Sequence, residues 1–187
     1  MKLEIVNMLT LCDTQLKRAA QMLTAELPLG WATLADAMEE ITGLLSLDDG
    51  SVFLAAVENN KVAGWCGILP EYNGNVYELH PLVVRKDMQG RGIGSMLIEA
   101  VTAAAKEKGG LTLMLGADDE CPGGETSFAN VDLYDDLPRR LREFEPGTHQ
   151  SAFYIKHGFK VVGVMPDANG KGKPDIMLAK SIYSDFS

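Results

Sequence analysis

Alternation and helical spacing of apolar residues divide the chain into a clear series of elements. Thr14–Glu26 and Leu34–Leu45 carry apolar residues at helical intervals, with Thr14 and Thr33 as N-caps and Pro28-Leu-Gly30 between them. Lys2–Val6 is a short strand. Val52–Val57 and Val62–Leu69 are strands joined by Glu58-Asn-Asn-Lys61, whose two asparagines suit the tight turn of a hairpin. Val76–Val84 is the next strand. Gly92–Lys106 is a helix with Leu97, Ile98, Val101 and Ala105 on its buried face, ended by Gly109-Gly110. Leu111–Leu115 is a buried strand, Gln150–His157 a short helix closed by Gly158, and Phe159–Val164 and Asp175–Ala179 the last two strands. Hairpins, then a strand–helix–strand crossover, then more hairpin predict an α/β (α+β) domain with a mixed sheet.

The chain has 187 residues, a length suited to one domain, and 46% of them are hydrophobic. No apolar run reaches the ~20 residues of a membrane span, so no membrane role is expected. Glu4 and Asn7 interrupt any secretory apolar core, and the expected compartment is the cytoplasm. Three widely spaced cysteines form neither a disulfide framework nor a metal-ligand pattern, so no metal is expected. A net charge of −9 argues against a nucleic-acid partner. That charge is uneven. From Ala117 to Glu145, nine acids against three arginines give −6, whereas Arg85 to Arg91 carries +2. The acidic stretch lies in a long connection, Gly116–Gly147, and connections of this length commonly carry function. It would attract a polycation.

The densest chemistry lies between Tyr77 and Ser95. Gln89-Gly-Arg-Gly-Ile-Gly94 follows a strand and opens a helix. Glycines there let the backbone approach a diphosphate, the unpaired N–H groups of a helix start attract anions, and Arg91 adds a charged donor. Read alone, such a loop also fits a turn that only caps a helix. A dinucleotide fold is disfavoured because the preceding strands read as hairpins, and a P-loop because no Gly-Lys-Ser/Thr occurs. Simple alternation puts Val76, Glu78, His80, Leu82 and Val84 on one face of their strand. An acid and a histidine two residues apart on an apolar face require partners or a task. Pro81 removes a ladder donor, which fits a bulge or a strand end. Trp31, Trp65 and Tyr72 are aromatic candidates for a cleft wall, and His149 and His157 read as surface or capping residues.

The spacing Gln89-x-x-Gly92-x-Gly94 resembles the acetyl-CoA signature of the GNAT acyltransferases. The blocks Glu78-Leu-His-Pro-Leu-Val-Val84, Asp132-Leu-Tyr134, Phe153-Tyr-Ile-Lys-His-Gly-Phe159 and Lys173-Pro-Asp-Ile-Met-Leu-Ala-Lys180 resemble the chromosomal aminoglycoside 6′-N-acetyltransferases of enterococcal type. The resemblance runs in order through the last two thirds of the chain and fades over the first seventy residues. It implies one GNAT domain over residues 1–187, with a sheet splayed into a V around acetyl-CoA. It implies main-chain contacts from Leu82, Val83 and Val84 to the pantetheine arm. Gln89, Gly90, Arg91, Gly92, Gly94 and Ser95 would surround the diphosphate. Glu78 would accept a proton from the amine or orient it, a backbone N–H at Leu82 would meet the oxyanion, and Tyr154 would serve the leaving thiolate. Glu78, His80, Asp118, Asp119 and Asp132 are the candidate contacts to a polycationic amine, and a homodimer is expected. Other amines (a polyamine, a small metabolite, a protein lysine or N-terminus) and a non-catalytic acyl-CoA-binding module remain open at this point.

Overall fold

The computed structural model describes residues 3–183. They form two compact units that divide after Leu111. In the first unit, β1 (Leu3–Asn7), β2 (Val52–Glu58), β3 (Lys61–Glu71) and β4 (Val76–Val84) pair in chain order, each neighbour antiparallel. Helix α1 (Asp13–Glu26) and α2 (Leu34–Leu45) cover one face, and α3 (Ile93–Glu107) packs on β2, β3 and β4.

Local chemistry explains these elements. Asn59 and Asn60 both adopt positive φ (50° and 63°), the backbone that a two-residue hairpin turn requires and that asparagine tolerates. Thr33 caps α2 as expected: its hydroxyl accepts the Asp36 N–H, and the Asp36 carboxylate accepts the Thr33 N–H. Helix α1 starts earlier than Thr14 implied, because Gln15 reaches back to accept the Cys12 N–H and fixes the cap there. Ala19, Ala20, Met22 and Leu23 of α1 and Ala37, Ile41 and Leu44 of α2 are buried against Phe53, Ala55, Trp65 and Val83. Trp65 is wholly buried and donates its indole N–H to the Ala19 carbonyl at 3.2 Å, so it belongs to the core and not to a cleft wall.

One irregularity in this unit governs the rest. Ile68 pairs with Leu79 and Cys66 with Leu82, so β4 spends three steps where β3 spends two. This is a β-bulge at His80-Pro81, opposite Gly67. A Cβ at Gly67 would lie 2.4 Å from the His80 carbonyl oxygen and 2.7 Å from ring carbons of Phe53. Gly67→Ala is therefore expected to destabilise the fold by about 1–3 kcal/mol or more, as overpacked cores do. Chemical denaturation would read it; an unchanged midpoint would contradict the tight approach.

The second unit contains β5 (Thr112–Asp118), β6 (Lys160–Met165) and β7 (Asp175–Ser181), with β7 antiparallel to both. Two short helices, α4 (Leu137–Arg142) and α5 (Ser151–Lys156), belong to it. Leu113, Leu115, Phe128, Tyr154, Phe159, Ile176 and Leu178 are among its buried residues. The acidic connection carries packing of its own. The Phe128 and Phe144 rings meet at a tilt of 54° with centroids 4.6 Å apart, and Ser127 and Glu145 exchange two hydrogen bonds.

Candidate active site

Strand β4 carries the candidate chemistry, and the bulge decides which way each side chain faces. Leu69 and Trp65, four residues apart on β3 and so on one face of it, both pack with the α1–α2 core. Their partners on β4 are Glu78 and Val83, which differ by an odd number of residues. Regular alternation would have put these two on opposite faces. The extra residue at His80-Pro81 puts them on the same one. Glu78 and His80 thus face α1 and α2. Val84 faces α3, where its methyl and that of Ile93 flank Gly64. The expectation that Glu78, His80, Leu82 and Val84 share a face is corrected accordingly.

The Glu78 carboxylate is half-buried, and no hydrogen bond or ion pair engages it among the described residues. His80 has defined neighbours. Its Nε2 lies 3.4 Å from Glu40 Oε1 of α2, and its ring lies 6.0 Å from that of Trp31 at a tilt of 53°. An aromatic face, two carboxylates and an imidazole therefore gather on the α2 side of β4. Glu40 was not among the residues singled out in the sequence. It is one acid of several on an amphipathic helix, and only the fold brings it to His80. Trp31 keeps its candidacy as a wall residue, whereas Tyr72 stands 72% exposed on a 3-10 turn (Tyr72–Gly74).

Beyond Val84 the chain makes a 3-10 turn, Lys86–Met88, and enters the glycine-rich loop. Gly90 (φ 72°) and Gly92 (φ 81°) adopt left-handed backbone, and a Cβ at either would meet no atom within 4 Å. Gly92 is the N-cap of α3, and no side chain caps that end. The loop thus presents the N-terminus of a 15-residue helix through small, exposed residues, a fitting cradle for a diphosphate. Ile93 beside it is buried and anchors the helix start.

Two side chains of the loop do something other than expected. The Arg91 guanidinium is turned back to Glu58 of β2 at 2.9 Å and to Met88 Sδ at 2.8 Å. Gln89 donates its amide N–H to the Val84 carbonyl at 2.9 Å, tying the loop to the strand end. Both side chains brace the loop, and backbone N–H groups remain the natural anion ligands.

In the second unit, Tyr154 lies on α5 and is 6% exposed. Its ring meets Phe153 and Phe159 edge-on at 5.3 and 5.7 Å, which fixes the ring plane. The acids of the connection divide. Asp118 and Asp132 are exposed, the first accepting from the Asn169 amide and the second from the Tyr134 N–H. Asp119 is fully buried, and its carboxylate accepts the N–H groups of Glu125 and Thr126 at 2.8–3.1 Å. It organises the loop from within and is not positioned for a solvent-borne amine. His149 is buried too, so of the two readings, surface or capping, the surface one fails, while the ring does serve the backbone at the start of α5. The Ser151 N–H donates to its Nδ1, so Nε2 carries the proton and donates to the Asp118 carbonyl at 3.0 Å. The Cys121 thiol is pushed up by its hydrogen bond to Glu125, with the charge of Glu125 next, so it is no ready nucleophile. Among the described residues no group of acidic, histidine or cysteine side chains could hold a metal ion.

No curated protein sequence matched. A solved aminoglycoside 6′-N-acetyltransferase complexed with coenzyme A aligns over 100% of both chains, at 28% identity and TM-score 0.90. The aminoglycoside 6′-N-acetyltransferase from Enterococcus faecium aligns equally fully, at 28% identity and TM-score 0.87. An aminoglycoside 6′-acetyltransferase type Ii follows at 26% identity and TM-score 0.74 over 99% of each chain. The model of the acetyltransferase (GNAT) family matches residues 16–121, more than half of the chain, from α1 to the start of the acidic connection. With the signature loop at the start of α3 and the fold of these enzymes throughout, the chain belongs to the GNAT acetyltransferase family.

Proposed function

We propose that this acetyltransferase moves the acetyl group of acetyl-CoA onto a primary amine of an aminoglycoside, at the 6′ position. The observation that carries the reading is full-length likeness to two solved 6′-N-acetyltransferases at 28% identity. The site chemistry supports it. An ammonium has no lone pair, so it must first lose a proton, and the unengaged Glu78 carboxylate is the acceptor, directly or through a water. The free amine attacks the thioester carbonyl. A C–N bond forms, and a backbone N–H at Leu82, just past the bulge, stabilises the developing oxyanion. As the C–S bond breaks, Tyr154 hydrogen-bonds or protonates the departing thiolate. Holding the reactants together can contribute roughly 7–11 kcal/mol, so the loop and the strand end matter as much as the proton acceptors.

Glu78 and His80 are the proposed substrate contacts from β4, and Asp118 and Asp132 the exposed acids that would attract a polycation. Steering of this kind weakens as salt rises. We further propose a homodimer. Val162 of β6 and Met177 of β7 are exposed apolar groups that a second copy would cover.

A turnover panel tests the reading. Kanamycin-type compounds with a free 6′-amine are expected to be acetylated at least tenfold more efficiently than spermidine or a lysine peptide, and expression in a sensitive host should raise kanamycin tolerance. Turnover of the polyamine alone would move the enzyme to another GNAT substrate class, and coenzyme binding without transfer to any amine would make the chain a binding module. Sedimentation equilibrium at the monomer mass of 20.3 kDa would remove the dimer.

A further inference from the structure

Glu26 is the last residue of α1, a position where a negative charge is unfavourable because the helix dipole is negative there. It also stands beside a loop suited to an anion. Two electrostatic penalties therefore meet at one half-buried carboxylate, and its contacts account for its place. Glu26 Oε1 accepts the Lys86 backbone N–H at 3.0 Å, and Oε2 faces the Gln89 amide at 3.4 Å. The same amide N–H group of Gln89 donates to the Val84 carbonyl at 2.9 Å. One carboxylate thus ties the end of α1 to both ends of the segment that leads from β4 into the glycine-rich loop, across sixty residues of sequence. Hydrogen bonds to an ionised acceptor are the stronger kind.

We infer that Glu26 is a positioning residue for coenzyme binding. It does not touch the coenzyme. It holds the Lys86–Gln89 turn so that Gly90 and Gly92 present their N–H groups in a fixed arrangement. The inference rests on the reading of this loop as the diphosphate site. A loop preset in its binding geometry loses less entropy on binding, and that advantage is what Glu26 confers.

Calorimetric titration with acetyl-CoA, paired with steady-state kinetics, tests it. Glu26→Ala is expected to raise Kd and KM for acetyl-CoA about five- to tenfold, with a smaller change in kcat. Glu26→Gln keeps an oxygen for the Lys86 N–H and is expected to recover most of that affinity. Lys86→Pro removes the same hydrogen bond from the other side. Arg85 already has the backbone that precedes proline comfortably (φ −52°, ψ 133°), and Lys86 is the first residue of its turn, so the loop can accommodate the change. Its Kd is expected to rise several-fold as well. Gly92→Val, measured in parallel, reports on the loop itself. If Gly92→Val loses the coenzyme while Glu26→Ala and Lys86→Pro bind it as tightly as the unaltered protein, the role of Glu26 is overturned and the loop assignment stands. If Gly92→Val binds normally, the loop assignment fails and the inference falls with it. A Glu26→Gln variant as weak as Glu26→Ala would overturn the hydrogen-bonding role.

Discussion

Glu78→Gln is expected to lower kcat for amine acetylation by two to four orders of magnitude while leaving the affinity for acetyl-CoA within about twofold. The range is what a positioned general base contributes. Glutamine matches the shape and hydrogen-bonding reach of glutamate but cannot take up a proton at neutral pH. The structure makes the comparison clean. No hydrogen bond or ion pair holds the carboxylate among the described residues, so the substitution breaks no bracing contact. The glycine-rich loop proposed for the coenzyme lies beyond the bulge and ends at the start of α3. Desolvation of a half-buried charge is relieved in the glutamine variant, so stability should hold or rise slightly. Rapid-mix assays with saturating acetyl-CoA, alongside a coenzyme titration, would separate the two effects. A kcat within threefold of the unaltered enzyme would assign the proton transfer to another group, and His80 with its Glu40 partner would be the first to examine.

Gly92→Val is expected to reduce coenzyme affinity at least a hundredfold. Steric filling is a lesser part of the reason, since a Cβ at this position meets nothing within 4 Å. The backbone is the larger part. Gly92 has φ 81° and ψ 4°, a conformation that a β-branched residue adopts only at a cost of order 1–3 kcal/mol. A valine would relax toward negative φ, rotating the peptides on both sides and turning their N–H groups away from a shared centre. The valine side chain would also occupy the open face through which an anion approaches. The fold itself should survive, because Ile93 and Leu97 anchor α3 in the core independently of the cap. Equilibrium binding of acetyl-CoA at a temperature well below the unfolding transition would read the effect. Affinity within threefold of the unaltered protein would remove the loop from the site.

Much of this was legible from local signals. Asn59-Asn60 specifies its turn because few residues tolerate positive φ twice in succession. Thr33 and Asp36 specify a helix start because their side chains serve the backbone three residues away. The signature loop could be read because glycine, a helix start and a preceding strand are all local features. What escaped was long-range or inward-facing. Glu26 and Glu40 look like ordinary solvated acids on amphipathic helices, and only packing brings them to Gln89 and His80. Asp119 contributes to an acidic run in the sequence, yet the loop folds around its carboxylate because three hydrogen bonds from N–H groups repay the burial of a charge. Pro81 announced an interruption of β4, but not that one extra residue would exchange the faces of everything on one side of it.

That exchange has a consequence for changing the enzyme. Positions 78 and 80 look toward α1 and α2, whereas Leu82 and Val84, after the bulge, alternate with the inward Val83 and face the other way, so the proposed acceptor contacts and the proposed coenzyme contacts fall on separately addressable positions of a single strand. Libraries that vary Trp31, Glu40 and His80 together should redirect the enzyme to amines of other shapes without eroding the coenzyme affinity set further along. Deleting one residue at the bulge would do the opposite, turning Glu78 into the α3 layer and abolishing both at once.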